Sequence, residues 1–185
     1  MNLGAEMGKC YKNLREFIKN NLSTKEFPDT QKIINALKGA KRRGYFTKKE
    51  LLKIGLWKVP KKRNVYRLLL KNSEKKVIEV SRKVFSTNNE KRKIELLDKQ
   101  LKGVAIPMAS AILMLTNPRK YGVIDFWVWR VLYKFGEVKV KPKGVGLNFN
   151  NWYTYLAKLR YFAKKFKVKV RDIERTIYDN VDRVL

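Results

Sequence analysis

The sequence has no histidine and only one cysteine, Cys10, in 185 residues. Without histidine the chain lacks the commonest metal ligand and the commonest general base, so any catalysis falls to carboxylate, lysine, tyrosine or the one thiol. A single cysteine excludes an internal disulfide and a four-cysteine iron–sulfur cluster. No apolar run approaches the length of a membrane-spanning helix, and residues 1–17 carry no signal-peptide core, so an intracellular, cytoplasmic protein is expected. Repeats, low-complexity tracts and domain linkers are missing as well. Acidic residues are scarce: 16 Asp and Glu stand against 44 Lys and Arg, a formal net charge of +28. Such an excess repels itself in a compact state and makes most sense beside a polyanion, with nucleic acid the first candidate and an acidic membrane the second.

What is present is enough to fold. With 44% hydrophobic and 12% aromatic residues, the chain can build one well-cored domain or two small helical lobes sharing a cleft. Residues 4–21 read as a helix with Leu14, Phe17, Ile18 and Leu22 as its apolar stripe and Tyr11 at the upstream edge. Pro28 and Asp29 mark a loop, and Thr30 is placed to cap a short helix carrying Ile33, Ile34 and Leu37 that ends at Gly39. Lys41, Arg42 and Arg43 form a basic cluster before Tyr45 and Phe46. Thr47 and Glu50 have the spacing of a capping box, opening a helix that buries Leu51, Leu52 and Ile54 and stops between Gly55 and Pro60. Trp57 lies amid Lys58, Lys61, Lys62 and Arg63; it is either a stacking element for nucleic acid or a core plug at a helix end. Asn72 or Ser73 caps the next helix, which turns Val77, Val80 and Val84 inward, and residues 86–89 form a polar turn. The alternation at 137–141 reads as a short extended segment. Trp152, Tyr155, Leu156, Leu159, Phe162, Ala163 and Phe166 recur at helical spacing, and a last helix from about Arg171 uses Ile173, Ile177 and Val181. The fold class is all-α.

Residues 94–136 are the centre of this pattern. Ile94, Leu97 and Leu101 fall at i, i+3 and i+7, and the run from Ala109 to Leu115 is apolar nearly all round, so two buried helices flank a turn at 101–105. Gly103 interrupts the pattern there. It allows positive φ and close approach of backbone to another molecule, and the following helix start offers unpaired N–H groups to a phosphate. Asp125 directly precedes the aromatic run 126–132 and on physical grounds is the N-cap of that helix.

Leu101, Gly103, Val104 and Ala109, followed by Val123, Ile124, Asp125, Arg130, Val131, Leu132 and Gly136, resemble in type and spacing the motif of the helix-hairpin-helix DNA glycosylases. This is the superfamily of endonuclease III and of the adenine and alkylpurine glycosylases. The resemblance implies one compact helical domain over 1–185, with a hairpin at about 94–115, a catalytic-aspartate segment at about 121–136 and a cleft between two lobes. It implies duplex DNA as partner, a damaged or mismatched base turned out into a pocket, and a monomer. Asp125 would stabilise positive charge on the sugar and orient water, roles suited to a carboxylate in weakly screening surroundings. Lys102, Gly103, Val104 and Ala105 would grip a phosphate without reading sequence. Tyr121, Trp127, Trp129 and Trp57 are the candidates for stacking on the base. Lys41, Arg42, Arg43, Lys58, Lys61, Lys62 and Arg63 are the candidate backbone contacts, and Arg130 supports the fold through a salt bridge. Two positions depart from the motif: Ala105 replaces the second hairpin glycine, and Pro107 stands where lyase members carry a lysine nucleophile. Proline forms no Schiff base, so hydrolysis without strand cleavage is expected, with no metal and no cofactor. Two other readings stay open: a non-catalytic DNA-binding protein on the same fold, and an RNA- or ribosome-associated basic protein.

Overall fold

A computed structural model describes residues 11–185, so Cys10 and the start of the helix expected from residue 4 lie outside the described residues. In chain order the helices are α1 (Leu14–Asn21), α2 (Pro28–Arg43), α3 (Lys48–Lys58), α4 (Arg63–Leu70), α5 (Glu74–Ser86), α6 (Glu90–Gln100), α7 (Ile106–Thr116), α8 (Phe126–Lys134), α9 (Phe149–Phe166) and α10 (Val170–Asp179), with a closing 3-10 turn at Val181–Arg183. The fold is all-α, with no strand among the described residues. None of these helices is long and apolar enough to cross a membrane.

The helices sort into two lobes. In the first, α7 is the hub: Met108 to Leu115 are all buried, and α2, α3 and α6 pack around it. A helix with no polar face has no stable place except the middle. In the second lobe α10 packs against α1, α8 and α9. From α1 in the second lobe the chain therefore crosses through residues 22–27 to build the first, and returns through 117–125.

Local signals explain several boundaries. Thr47 and Glu50 form the expected capping box on α3, Ser73 caps α5, and Asn148 with Asn151 does the same for α9. Four expectations are corrected. Pro28 is the first residue of α2 rather than a loop residue, as its fixed φ suits that position, and Thr30 is buried inside the helix instead of capping it. Gly39 does not end α2, which runs on to Arg43 and stops at Gly44 with φ 75°. Helix α3 stops at Lys58, between Gly55 and Pro60 as expected, and at Gly55 the Leu69 side chain of α4 occupies the space a Cβ would need, only 2.3 Å away. The 137–141 segment forms no strand; the carbonyls of Val140 and Lys141 accept hydrogen bonds from Trp129 Nε1 at 3.2 and 2.9 Å.

Charge is buried where the sequence pattern places none. On α10 Arg171, Asp172, Glu174 and Arg175 are all at most 5% exposed. Arg171 donates to both oxygens of Glu26, at 2.7 and 3.0 Å, and also to Glu174. Arg175 donates to Asp179 at 2.6 Å and to the Ser23 carbonyl at 2.8 Å, while Thr176 Oγ1 accepts from the Ser23 amide at 3.2 Å. The crossing segment is thus fastened to α10 by charge-assisted bonds. Burial opposes ionisation of Glu26, but its hydrogen bond and charge interaction with Arg171 outweigh that and hold its carboxyl below the ordinary value.

The hairpin turn is held by a side chain that reads from sequence only as a possible cap. Asn72 is 5% exposed. Its Nδ2 donates to the carbonyls of Leu69 and Lys102, both at 2.9 Å, and its Oδ1 accepts from the Lys102 amide at 2.8 Å. Removing it strands buried backbone groups at about 1–3 kcal/mol each. Asn72→Ala is therefore expected to lower the thermal midpoint by roughly 6–12 °C, from about 3 kcal/mol at 2–4 °C each. Thermal unfolding followed by circular dichroism checks this, and a change within about 2 °C would refute the clamp.

Candidate active site

Where the lobes meet, a cavity of about 270 Å³ is lined by Thr30, Trp57 and Lys58 of the first lobe, by Val123, Asp125, Arg171, Glu174 and Tyr178 of the second, and by Phe27 of the crossing segment. Asp125 has extended backbone (φ −137°, ψ 151°), and its Oδ1 accepts from the Trp127 amide at 2.9 Å, so it is the N-cap of α8. The cap fixes the direction of the carboxylate. Its other oxygen, Oδ2, accepts from Lys58 Nζ at 3.2 Å, and the two side chains are 19% and 16% exposed. This ion pair links α3 to the start of α8 across the cleft.

A second carboxylate shares the cavity. Glu174 is 2% exposed, is held by Arg171, and accepts from the Val123 amide at 3.4 Å. Burial raises its pKa against the opposing pull of Arg171. Tyr178 also titrates above its ordinary value, first through burial and then through the negative charges of Asp125 and Glu174, so it remains an O–H donor beside both. Thr30 accepts from Trp57 Nε1 at 3.0 Å, which fixes the indole as one wall.

The hairpin turn between α6 and α7 contributes backbone donors at a separate hollow, which it lines together with Val65 and Leu68 of α4. Gly103 takes φ 80° as its position requires. The close neighbour that forbids a side chain there is α4, whose Leu68 Cβ, Leu69 N and Val65 O would lie 3.0–3.1 Å from a Cβ. The Val104 amide bonds the Leu101 carbonyl at 3.3 Å and the Lys102 amide bonds Asn72, which removes both from the expected phosphate grip. The amides of Gly103 and Ala105 have no acceptor among the described residues, and α7 has no side-chain cap. Those donors, with the exposed Lys102 and Ala105, form the part of the turn that can meet an anion.

The other expected residues divide. Trp57 and Lys58 line the Asp125 cavity. Lys61, Lys62 and Arg63 are exposed at the α3–α4 corner, next to Trp57 and Lys58 in sequence. Trp129 is 1% exposed and Tyr121 4%, so neither offers a ring face to a base. Trp129 fills the core, and Tyr121 donates to Glu90 at 3.0 Å beneath the Arg160 guanidinium. Trp127 is 36% exposed but lies outside the cavity lining. Arg130 forms no ion pair among the described residues; its guanidinium lies 5.1 Å from the centre of the Trp127 ring, a stacking contact in place of the expected salt bridge. Lys41 and Arg43 belong to a different cavity, at the far end of α2.

No family model, curated protein or solved structure matches this chain. The assignment of a site therefore rests on the residues themselves. Sequence reading missed Phe27, Thr30, Arg171, Glu174 and Tyr178. A signal for the last three is present: they fall at i, i+3 and i+7 of α10 and so share one face, aimed into the cleft. Among the described residues no group of three or more Asp, Glu or Cys side chains is placed to hold a metal ion.

Proposed function

We propose that the protein is a DNA N-glycosylase that hydrolyses the bond between sugar and base without cutting the strand. The observation that carries the reading is Asp125, oriented by its own helix cap in a small cavity between two lobes; the hairpin turn with its unpaired amides adds a separate place for a phosphate. The turn and the exposed cations at 61–63 hold the duplex by its phosphates. A nucleotide rotated out of the stack then places its base in the cavity against Trp57. The C1′–N bond breaks with its electron pair leaving on the base, and Asp125 stabilises the positive charge left on the sugar. Water adds to C1′ and gives its proton to Asp125, while the departing base is protonated from Tyr178, Glu174 or solvent.

The test is a panel of duplexes, each with one uracil, hypoxanthine, 8-oxoguanine, alkylated purine or mismatch, resolved with and without hot alkali. Strand breaks that appear only after alkali support the reading. One feature favours a second reading, a DNA-binding protein without turnover: both oxygens of Asp125 are already engaged, by Lys58 and by the Trp127 amide. Tight, salt-dependent binding with no product on any duplex would establish that alternative.

A further inference from the structure

We infer that a second cavity, remote from Asp125, is a binding site for a phosphorylated nucleotide. It has a volume of about 550 Å³, within the usual range of about 300–1,000 Å³ for small-ligand sites. It lies where the C-terminal ends of α2, α5 and α7 converge. Thr30 of the Asp125 cavity and Lys41 of this one are both on α2, eleven residues and so roughly 16 Å apart along the helix. A nucleotide seated here cannot also be the one at Asp125, and the inference stands apart from base release.

The lining holds Lys41, Arg43, Arg82, Lys93 and Lys120 and no acidic residue. Of the five only Arg43 is ion-paired among the described residues, with Glu50 at 2.8 Å. Helix dipoles account for part of this charge. Three helix ends carry about −0.5 each, which four unpaired cations exceed. Lys93, moreover, sits near the N-terminal end of α6, where a dipole disfavours a cation. The guanidinium groups of Arg43 and Arg82 both approach one ring, Tyr45, at 5.3 and 4.9 Å, which helps to fix the position of these two lining cations.

The rest of the lining goes beyond a bare anion. Phe85 is partly buried and offers an aromatic surface, while the side-chain amides of Asn88 and Asn117 bond to nothing among the described residues. An aromatic wall for a base, free amides for its edge and cations for its phosphate are the three elements of nucleotide recognition. The ligand is either a free nucleotide or the phosphorylated end of a strand.

The test uses the full chain with 2-aminopurine riboside 5′-monophosphate, whose fluorescence falls on stacking, at about 0.3 M salt to suppress nonspecific attraction. Saturable quenching is expected, unchanged in Asp125→Asn and weakened about tenfold or more in the exposed pair Lys41→Gln/Lys120→Gln, each of which loses a charge-assisted contact. Ribose 5-phosphate is expected to compete at least about tenfold less well, because it has no base to stack. Stronger displacement of the probe by a 5′-phosphorylated octanucleotide than by AMP would assign the site to strand ends, and the reverse order to free nucleotides. Absent quenching, unaltered affinity in the double variant with an unchanged thermal midpoint, or equal competition by ribose 5-phosphate would each overturn the inference. Base release from the lesion panel is read separately, so either proposal can fail while the other stands.

Discussion

If the protein is the glycosylase proposed above, replacing Asp125 by asparagine is expected to slow base release by roughly a thousandfold while leaving the fold intact. The size follows from the charge lost. A carboxylate about 4 Å from a developing cation, at an effective dielectric constant near 20, contributes about 4 kcal/mol, and each 1.36 kcal/mol is about a tenfold change in rate. Asparagine caps a helix as well as aspartate does, so the bond from the Trp127 amide and the start of α8 should survive. Asp125→Ala would lose both charge and cap, at about 1 kcal/mol of stability for the cap alone. Single-turnover release from whichever duplex of the lesion panel yields product, read after alkali, gives the rate, and circular dichroism gives the fold. A rate within threefold of native would remove Asp125 from the chemistry and leave it as a cap.

The largest stability effect is expected from Arg171→Met. Arg171 is the common partner of Glu26 and Glu174, and its loss leaves Glu174, 2% exposed, as a buried carboxylate without a counter-charge. Breaking a buried pair from one side costs about 3–5 kcal/mol, or a fall in thermal midpoint of roughly 6–20 °C for a chain of this length. The effect should depend on pH. Burial already raises the Glu174 pKa in the folded protein, so the cost of its charge is felt above that folded value and vanishes as the group takes up a proton. The deficit of the variant should therefore shrink as pH is lowered from 8 towards 5. Glu26 behaves oppositely in the native protein. Burial works against its charge but Arg171 prevails, so its pKa is lowered and its stabilisation is complete above the unfolded value of 4.5 and lost as pH falls through the folded one. The double variant Arg171→Met/Glu174→Gln should recover a large part of the loss, since the orphaned charge goes with it. Midpoints across the pH series that move in parallel for variant and native protein would show that Glu174 is not the source of the cost.

Much of this architecture is legible from residues near one another in the chain. The α6–turn–α7 hairpin follows from the spacing of Ile94, Leu97 and Leu101 and the unbroken apolar run after it. The α3 start follows from Thr47 and Glu50, and the Asp125 cap from its place before an aromatic helix. What escaped is set by contacts between distant segments. Helix α4 carries Val65, Leu68 and Leu69 at helical spacing in a segment of only eight residues, and its place is fixed by docking against Gly55 and Gly103. Gly39 reads as a break because nothing local reveals that α2 passes straight through it. The charged residues of α10 give no local sign of burial, yet Glu26, 145 residues from Arg171, pairs with it in the interior. The cavity mirrors this division: Asp125 and Trp57 stand out from their neighbours in sequence, whereas Thr30 and Glu174 acquire meaning only when α2 and α10 are brought together.

The hairpin glycine carries one more consequence. Gly103 has positive φ and backbone of α4 pressed against the site of its missing Cβ, so any side chain there would damage the lobe before it touched a ligand. A descendant that had lost every contact with nucleic acid would still have to keep this glycine. The position free to record a change of trade is Ala105, which is exposed and has an amide that nothing in the described chain engages. Among relatives of this protein, drift at 105 with 103 held fixed would mark lineages that kept the scaffold without the phosphate contact proposed for this turn.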